Sequence, residues 1–251
     1  MYPVLFRIGS LDITSFGVMV ALGALAGLWV FRRELARGGL PEAALDAAVY
    51  GLVGGLIGAK LLYVFEHRAE GSFFSLVLDR GGMSWFGGFV GGLLAGYVTI
   101  RANRWSLIPV LSAATPALAV GQMLGRIGCF LVGDDYGHPT NLPWGVAFPR
   151  GLPPTNERVH PTQLYEAAFL VVLAWILVHW RRRGVDDRKV LGRYFIIAGL
   201  FRFALEFVRV NTRVFGPLTV AQIFSALVTV LGVAILVVPQ AKPAAGARVR
   251  A

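Results

Sequence analysis

The chain has 251 residues, of which 56% are hydrophobic and 15% are charged, and its formal net charge is +10. A soluble domain is typically about 25% charged, so the composition excludes an ordinary soluble protein and indicates an integral membrane protein. The basic residues form short clusters at the ends of apolar segments instead of a stripe interleaved with stacking aromatic rings, and we therefore expect no nucleic-acid partner. A single cysteine, Cys129, excludes an internal disulfide and a cysteine-rich metal site.

Seven segments are apolar over a length sufficient to cross a bilayer, because a helical span needs about 20 mostly apolar residues. They cover residues 13–31, 43–65, 83–100, 106–126, 163–180, 190–208 and 217–238. The first segment is too long for a signal-peptide core and lacks a basic leader, so we expect it to be retained. The sequence predicts an all-α integral membrane protein with seven transmembrane helices in a single domain over residues 1–240. A disordered basic tail is expected over residues 241–251.

The distribution of lysine and arginine predicts the orientation, because short cytoplasmic loops are enriched in both. Basic clusters follow the first, third, fifth and seventh segments: Arg32, Arg33 and Arg37; Arg101 and Arg104; residues 181–189; and Lys242, Arg248 and Arg250. We therefore expect the N-terminus outside and the C-terminus in the cytoplasm, with the basic clusters close to anionic membrane lipids.

One long stretch between predicted spans, residues 130–162, is rich in Gly, Pro and Asn and falls on the outer side in this topology. A loop of this length in a compact domain is usually functional or disordered. Trp144 and Phe148 lie between prolines within it, and tryptophan favours the membrane interface. The sequence therefore predicts an ordered outer-side cap.

Small residues recur at four-residue spacing in two of the predicted spans. The two sets are Gly51, Gly55 and Ala59 in the second span, and Gly88, Gly92 and Gly96 in the third. This pattern is typical of membrane helices whose backbones approach each other closely.

Ionisable residues inside the predicted spans are the sharpest functional signal, because each costs roughly 2.5 to 3.5 kcal/mol at the bilayer centre on insertion scales. The candidates are Lys60, Arg126, Glu166, Arg202 and Glu206. Arg202 and Glu206 are four residues apart and share a helical face, with Arg209 a further turn along. Two arginines around one glutamate leave a positive surplus, and a guanidinium can grip a phosphate through two hydrogen bonds. With Arg126 as a second phosphate-binding guanidinium, the pattern predicts a phospholipid headgroup site that opens toward the outer leaflet.

Four motifs together resemble the bacterial prolipoprotein diacylglyceryl transferase family. They are GGMSWFGGFVGG (Gly81 to Gly92), GRIGCF (Gly125 to Phe130), HPTQLYEA (His160 to Ala167) and LFRFALEFVR (Leu200 to Arg209). Their order and the opening of the chain also match, so the resemblance covers essentially the whole sequence. The two essential arginines of the family map to Arg126 and Arg202.

The resemblance implies transfer of a diacylglyceryl group from phosphatidylglycerol to the lipobox cysteine of a preprolipoprotein signal peptide, in the bacterial cytoplasmic membrane. The products would be a thioether and glycerol phosphate, and no metal or soluble cofactor is required. Arg126 and Arg202 would bind the headgroup and support departure of the phosphate, because preorganised guanidinium groups stabilise developing negative charge. The expected substrate-binding set also includes Tyr165, Glu166, Glu206 and Arg209.

Three single positions depart from the family pattern, and VGDDYG (Val132 to Gly137) replaces an Asn-x-Glu-like stretch. Phe86 stands at the place of a histidine, Cys129 replaces the asparagine of the Gly-Arg-Ile/Leu-Gly-Asn-Phe signature, and Ala198 replaces a tyrosine four residues before the second arginine. The attacking thiol must lose its proton, since the thiolate is the nucleophile. If the family's histidine accepts that proton, another group must do so here. The candidate groups are Asp134, Asp135 and His160, or the positive field of the arginines.

Other interpretations stay open. The chain could be a catalytically silent homologue that binds lipid or a lipoprotein precursor, an enzyme with another lipid-linked acceptor, or a membrane transporter. Single residues also have structural alternatives: His160 could cap a helix, Glu166 could complement a helix N-terminus and the two aspartates could form a turn. A transferase requires Arg126 and Arg202 to share one site near the outer leaflet.

Overall fold

The computed structural model describes residues 2–9, 11–79 and 82–238, so the predicted tail over residues 241–251 lies outside the described residues. Seven long helices and one short helix dominate this part of the chain. They are α1 (Ser15–Arg37), α2 (Asp46–Glu66), the short α3 (Phe73–Leu78), α4 (Trp85–Ala102), α5 (Leu107–Val132), α6 (Thr162–Arg182), α7 (Asp187–Leu205) and α8 (Val220–Val237). A 3-10 turn, Glu42–Leu45, precedes α2.

The described residues also contain three two-stranded antiparallel sheets. β1 (Val4–Ile8) pairs with β2 (Leu11–Thr14), β3 (Val146–Phe148) with β4 (Thr155–Val159), and β5 (Arg213–Phe215) with β6 (Leu218–Thr219). The first hairpin precedes α1, the second precedes α6 and the third precedes α8. The prediction of a helical membrane protein is confirmed. The predicted all-α fold did not include these three short hairpins.

Each long helix covers one predicted span, with the main differences at helix ends. α1 continues past residue 31 to Arg37, because arginine and glutamate are good helix formers. α7 ends at Leu205, so Arg209 lies beyond the helix and the prediction that it continues the helical face of Arg202 is wrong. Within the described ranges, five segments are long and apolar enough to cross a membrane: Ser15–Arg37, Glu42–Glu66, Leu107–Val132, Thr162–Arg182 and Val220–Val237. The full count of seven spans stays a prediction, as does the single domain over residues 1–240.

Helices pack in pairs, α1 with α5, α2 with α4, α5 with α6 and α7 with α8. In the α2–α4 pair, glycines of one helix face backbone carbonyls of the other. A Cβ added at Gly58 would lie 2.3 Å from the Gly87 oxygen, and one at Gly91 would lie 2.4 Å from the Gly54 oxygen. The predicted close approach is confirmed, although Gly55 leaves a roomier 3.2 Å to the nearest carbonyl.

A buried ion-pair network holds the end of the bundle where α1 and α6 finish and α7 begins. The Arg181 Nε lies 2.8 Å from the Glu34 Oε2, and the Arg181 Nη1 lies 2.7 Å from both the Ser112 Oγ and the Asp187 Oδ1. The Arg181 and Glu34 side chains are only 4% and 2% exposed, and Arg37 also contacts Glu34. This network ties four helices together at the end of the bundle opposite the cap.

Residues 133–161, which connect α5 to α6, pack as an ordered unit that we call the cap. The predicted bounds, 130–162, also include the last three residues of α5 and the first residue of α6, and the outer-side position of the cap stays a prediction. β3 and β4 form its hairpin, with Val146 opposite Val159. The Phe148 side chain is fully buried and stacks on the Tyr136 ring, with 5.4 Å between ring centroids, while Phe130 of α5 contacts its edge. These aromatic contacts fix the cap over the end of α5, which we call the cap end of the bundle.

Candidate active site

The last turns of α5 present Arg126 at the cap end. On one side of this helix Gly128 packs against α1, and a Cβ added to it would lie 3.0 Å from the Met19 Cβ. The helix ends at Val132, and Gly133 adopts a left-handed conformation with φ 79° that lets its amide donate to the Cys129 carbonyl. Gly128 therefore allows close packing on α1, and Gly133 allows the chain to turn sharply from α5 into the cap.

Arg126 is held between two carboxylates. Its Nε lies 2.9 Å from the Glu166 Oε2 on α6, and its Nη1 donates to the Asp135 Oδ2 at 2.7 Å. Glu166 is buried and also accepts a long hydrogen bond of 3.5 Å from the Gln122 amide. The Arg126 side chain is 19% exposed, so the guanidinium lies at the edge of the packed protein.

Arg202 is anchored by the carboxylate of Glu206 at the end of α7. The other oxygen of that carboxylate, Oε1, accepts hydrogen bonds from the Asn211 amide at 2.6 Å and from the Thr219 hydroxyl at 2.8 Å. Thr219 also caps α8 by accepting from the Gln222 amide, in a capping box. Glu206 thus links Arg202 to the start of the last helix.

Arg209 lies between the other two arginines and is the most buried of the three, with a side chain 5% exposed. Its Nη2 lies 2.6 Å from the Asp135 Oδ1, and its Nε lies 3.9 Å from the Glu206 Oε2. Among the residues that the structure describes, its Nε and Nη1 groups have no hydrogen-bond partner. A buried donor without a partner costs free energy, so this guanidinium has capacity for a further acceptor.

These contacts join six charged groups in one continuous row at the cap end. The row runs Glu166, Arg126, Asp135, Arg209, Glu206, Arg202. The two predicted arginines therefore belong to one site. The predicted positive surplus is wrong, because three carboxylates balance three guanidinium groups. The sequence pattern around Arg202 showed only one of the carboxylates that face these arginines.

Asp134 and Asp135 are adjacent but have opposite electrostatic surroundings. Burial raises the pKa of Asp134 above its ordinary value, although the Cys129 thiol partly opposes this. Burial would also raise the pKa of Asp135, but Arg209 and then Arg126 outweigh it and lower that pKa. Protonation is therefore easier at Asp134 than at Asp135.

Cys129, Asp134 and Asp135 are the residues of this site that could hold a metal ion, since their ligand atoms lie within 4.8 Å of one another. Both Arg126 and Arg209 contact Asp135. Two guanidinium charges beside the donor set disfavour a bound cation.

His160 and Tyr165 form a second polar group beside the row. The Tyr165 hydroxyl lies 3.1 Å from the His160 Nδ1 and accepts a hydrogen bond of 2.8 Å from the Trp144 indole of the cap. No side chain caps α6, whose N-cap residue is Pro161, so the helix-capping alternative for His160 is wrong. The backbone carbonyl of His160 instead accepts from the Gly137 amide at 2.9 Å.

Three polar residues of the site were absent from the sequence prediction: Gln122, Asn211 and Thr219. The sequence does mark Thr219 as the start of a helix, because a threonine followed three residues later by glutamine before an apolar run is typical of a capping box. Gln122 is one helical turn before Arg126 and could have been found by spacing. Asn211 lies in a connecting segment, and no periodicity marks it.

Two of the departures from the family pattern lie among apolar neighbours. Phe86 is 52% exposed and contacts the Trp85 ring edge-on. Ala198 packs against the apolar core between α6 and α7 that includes Leu170 and Leu177. The third, Cys129, is buried with its Sγ 3.9 Å from the Arg126 Nη1, so of the three only Cys129 touches the row.

Gly137 is the glycine on which the site most depends, because the cap crosses the Arg209 segment there. An added Cβ would lie 2.3 Å from the Val208 carbonyl oxygen and 2.9 Å from the His160 Cβ. We expect Gly137→Ala to push the cap away from Arg209, destabilising the protein by about 1–3 kcal/mol and lowering activity at least tenfold. Thermal unfolding and initial rates check this. Gly125→Ala is the control, since its Cβ would meet nothing within 4 Å; an equal loss of stability there would contradict the steric explanation.

The fold and the site together define a class: a multi-pass helical membrane protein whose arginines and carboxylates converge at one end of the bundle. A sequence model of prolipoprotein diacylglyceryl transferases matches residues 3–238. The chain belongs to the prolipoprotein diacylglyceryl transferase family.

Individual relatives agree with this membership. The chain is 34% identical over 240 residues to the phosphatidylglycerol–prolipoprotein diacylglyceryl transferase of Clostridium tetani (strain Massachusetts / E88), covering 93% of this chain and 96% of that protein. It is 32% identical over 264 residues to the protein of the same name from Chromohalobacter salexigens, covering 99% and 96%. A third relative of that name, from Geobacter sulfurreducens, is 33% identical over 247 residues, with 94% of each chain covered.

Proposed function

We propose that this chain transfers the diacylglyceryl group of phosphatidylglycerol to a cysteine thiol of a prolipoprotein. The observation that carries the proposal is the row of charges in which Arg126 and Arg202, the two arginines of the family motifs, are joined through Arg209. Such a row offers several guanidinium donors to one phosphate.

In the proposed reaction the thiolate sulfur attacks the terminal glyceryl carbon of the diacylglyceryl group. A carbon–sulfur bond forms, the bond from that carbon to the phosphate oxygen breaks, and the electron pair leaves with glycerol phosphate. The leaving phosphate gains negative charge, which Arg126, Arg202 and Arg209 stabilise because they are already oriented. The product is a thioether on the lipobox cysteine of the signal peptide.

The thiol proton needs an acceptor, and of the two aspartates Asp134 is favoured by the direction of its pKa shift. Its raised pKa brings it closer to neutral pH than Asp135, which two guanidinium groups keep charged. A general base works best when its pKa lies near the operating pH. His160, hydrogen-bonded to Tyr165, is the second candidate acceptor.

The proposed topology has seven spans, with the N-terminus outside and the C-terminus in the cytoplasm of a bacterial inner membrane. The basic ends of α1 and α6 meet at the end opposite the row, where Arg181 binds Glu34. Because short cytoplasmic segments are enriched in lysine and arginine, these basic residues support a cytoplasmic location for that end. The row then faces the outer leaflet and the acceptor.

Complementation tests the proposed function directly. The chain is expressed in a strain depleted of its own diacylglyceryl transferase, and labelled lipid is followed on a lipoprotein. Labelled lipoprotein is the expected result. If the protein inserts and no label is transferred, the silent-homologue interpretation replaces the proposal.

Phe86→His tests whether a group other than the residue at position 86 accepts the thiol proton in this protein. Because Phe86 packs on Trp85 and is half exposed, we expect the histidine variant to keep or raise the transfer rate. The measurement is the initial rate in membranes, normalised to inserted protein. A severe loss of rate would contradict the assignment of the proton to another group.

A further inference from the structure

Asp135 bridges two arginines of the site with its two carboxylate oxygens. The Oδ2 accepts from the Arg126 Nη1 at 2.7 Å, and the Oδ1 lies 2.6 Å from the Arg209 Nη2. A phosphodiester carries one negative charge and two non-bridging oxygens, so it can make the same pair of contacts. The Asp135 carboxylate therefore resembles, in charge and in acceptor geometry, the headgroup that these arginines are proposed to bind.

Exposure distinguishes Asp135 from the other carboxylates of the row. Its side chain is 41% exposed, whereas the side chains of Glu166 and Glu206 are 3% and 0% exposed. Asp135 can leave the arginines by rotating its side chain toward the outside, while the two glutamates cannot move without opening the packed helices. Its backbone carbonyl is held by the Thr162 hydroxyl at 2.6 Å, so the main chain can stay in place.

Asp135 does not satisfy all the hydrogen-bond donors of Arg209. The Nε and Nη1 groups of Arg209 are buried and lack hydrogen-bond partners within the described part of the chain. A phosphodiester has two ester oxygens in addition to its two non-bridging oxygens, so it can offer acceptors to donors that Asp135 leaves unused. Replacing one monoanion by another also preserves the balance of three positive and three negative charges.

We propose that Asp135 is a built-in competitor for the lipid phosphate, which occupies Arg126 and Arg209 until phosphatidylglycerol displaces it and thereby sets the apparent affinity for that lipid. This rests on the proposed function, in which the arginines bind the headgroup. In this role Asp135 sets the affinity for the lipid and does not take part in bond formation.

The test measures lipid binding without the acceptor. Full-length protein is placed in nanodiscs of phosphatidylcholine with increasing fractions of phosphatidylglycerol, and the thermal unfolding midpoint is recorded, because a ligand of the native state raises it. Asp135→Asn removes the competing charge, so the half-saturating fraction of phosphatidylglycerol is expected to fall about fivefold or more. Its midpoint without phosphatidylglycerol is expected to fall, since Arg126 and Arg209 each lose one of their ion-pair partners.

Two further variants separate the effect of the Asp135 charge from other effects of the substitution. Asp135→Glu keeps a carboxylate and should bind phosphatidylglycerol within about twofold of the unsubstituted protein. Asp12→Asn makes the same chemical change at an exposed ion pair with Arg7 in the first hairpin and should leave the half-saturating fraction unchanged. The variants are prepared in phosphatidylglycerol, which supplies an anion for Arg209 if Asp135→Asn does not fold without it.

Each outcome has one meaning. An unchanged or higher half-saturating fraction in Asp135→Asn, or a fall of the same size in Asp135→Glu, overturns the competitor role. If the unsubstituted protein shows no phosphatidylglycerol-dependent stabilisation and no transfer, the proposed function itself fails. Binding and transfer by the unsubstituted protein together with an unaltered Asp135→Asn affinity would refute the inference about Asp135 alone.

Discussion

Replacing Arg126 with alanine is expected to reduce diacylglyceryl transfer by at least about 100-fold, because loss of one preorganised donor to a developing negative charge typically has that effect. The protein should still insert in the membrane. The measurement is labelled lipid on the acceptor, normalised to inserted protein. Arg202→Ala should behave in the same way. Undiminished transfer in either variant contradicts the role of that arginine.

Arg126→Ala also leaves Glu166 buried without its ion-pair partner, so loss of stability could be mistaken for loss of chemistry. The double variant Arg126→Ala with Glu166→Gln removes the unpaired charge. We expect it to recover thermal stability but not transfer. Recovery of both would show that Arg126 acts only through folding.

Arg181→Ala should be the most destabilising single change outside the site. Arg181 donates to Glu34, Ser112 and Asp187, and removing one partner of a buried ion pair typically costs about 3–5 kcal/mol because the other charge stays buried. The expected result is a large drop in the unfolding midpoint and in the amount of inserted protein. Transfer per folded molecule should be unchanged, since the network lies at the opposite end from the row.

Arg182→Ala is the matched control for this change. Arg182 is the next residue of α6 and is exposed, and exposed charges contribute little to stability. Its midpoint should stay close to that of the unsubstituted protein. A comparable loss in both variants would mean that general positive charge, and not the buried network, stabilises this end.

The sequence predicted the positions of the long helices well because hydrophobic length and periodicity are local properties. It also predicted which arginines matter, since Arg126 and Arg202 interrupt apolar runs where an unpaired charge is costly. The charge balance could not be predicted, because Asp135 and Glu166 reach Arg126 from segments 9 and 40 positions further along the chain (135 − 126 and 166 − 126). Such pairing depends on how helices pack together and not on local pattern.

The small hairpins show a related limit. β5 and β6 are three and two residues long, too short for an alternating pattern to be distinguished from a loop. Their importance comes from what they connect, since β6 ends at Thr219, whose hydroxyl binds Glu206. A contact of this kind becomes visible only when α7 and α8 are seen side by side.

The double use of the Thr219 hydroxyl has a consequence for biosynthesis. That hydroxyl both starts α8 and holds the carboxylate that anchors Arg202. The Glu206 carboxylate that anchors Arg202 therefore gains its contact with Thr219 only when the start of α8 lies beside the end of α7. A nascent chain that has made both motif arginines but not yet Thr219 lacks this hydrogen bond, so the full set of contacts around Arg202 forms only after the segment that begins α8 has been made.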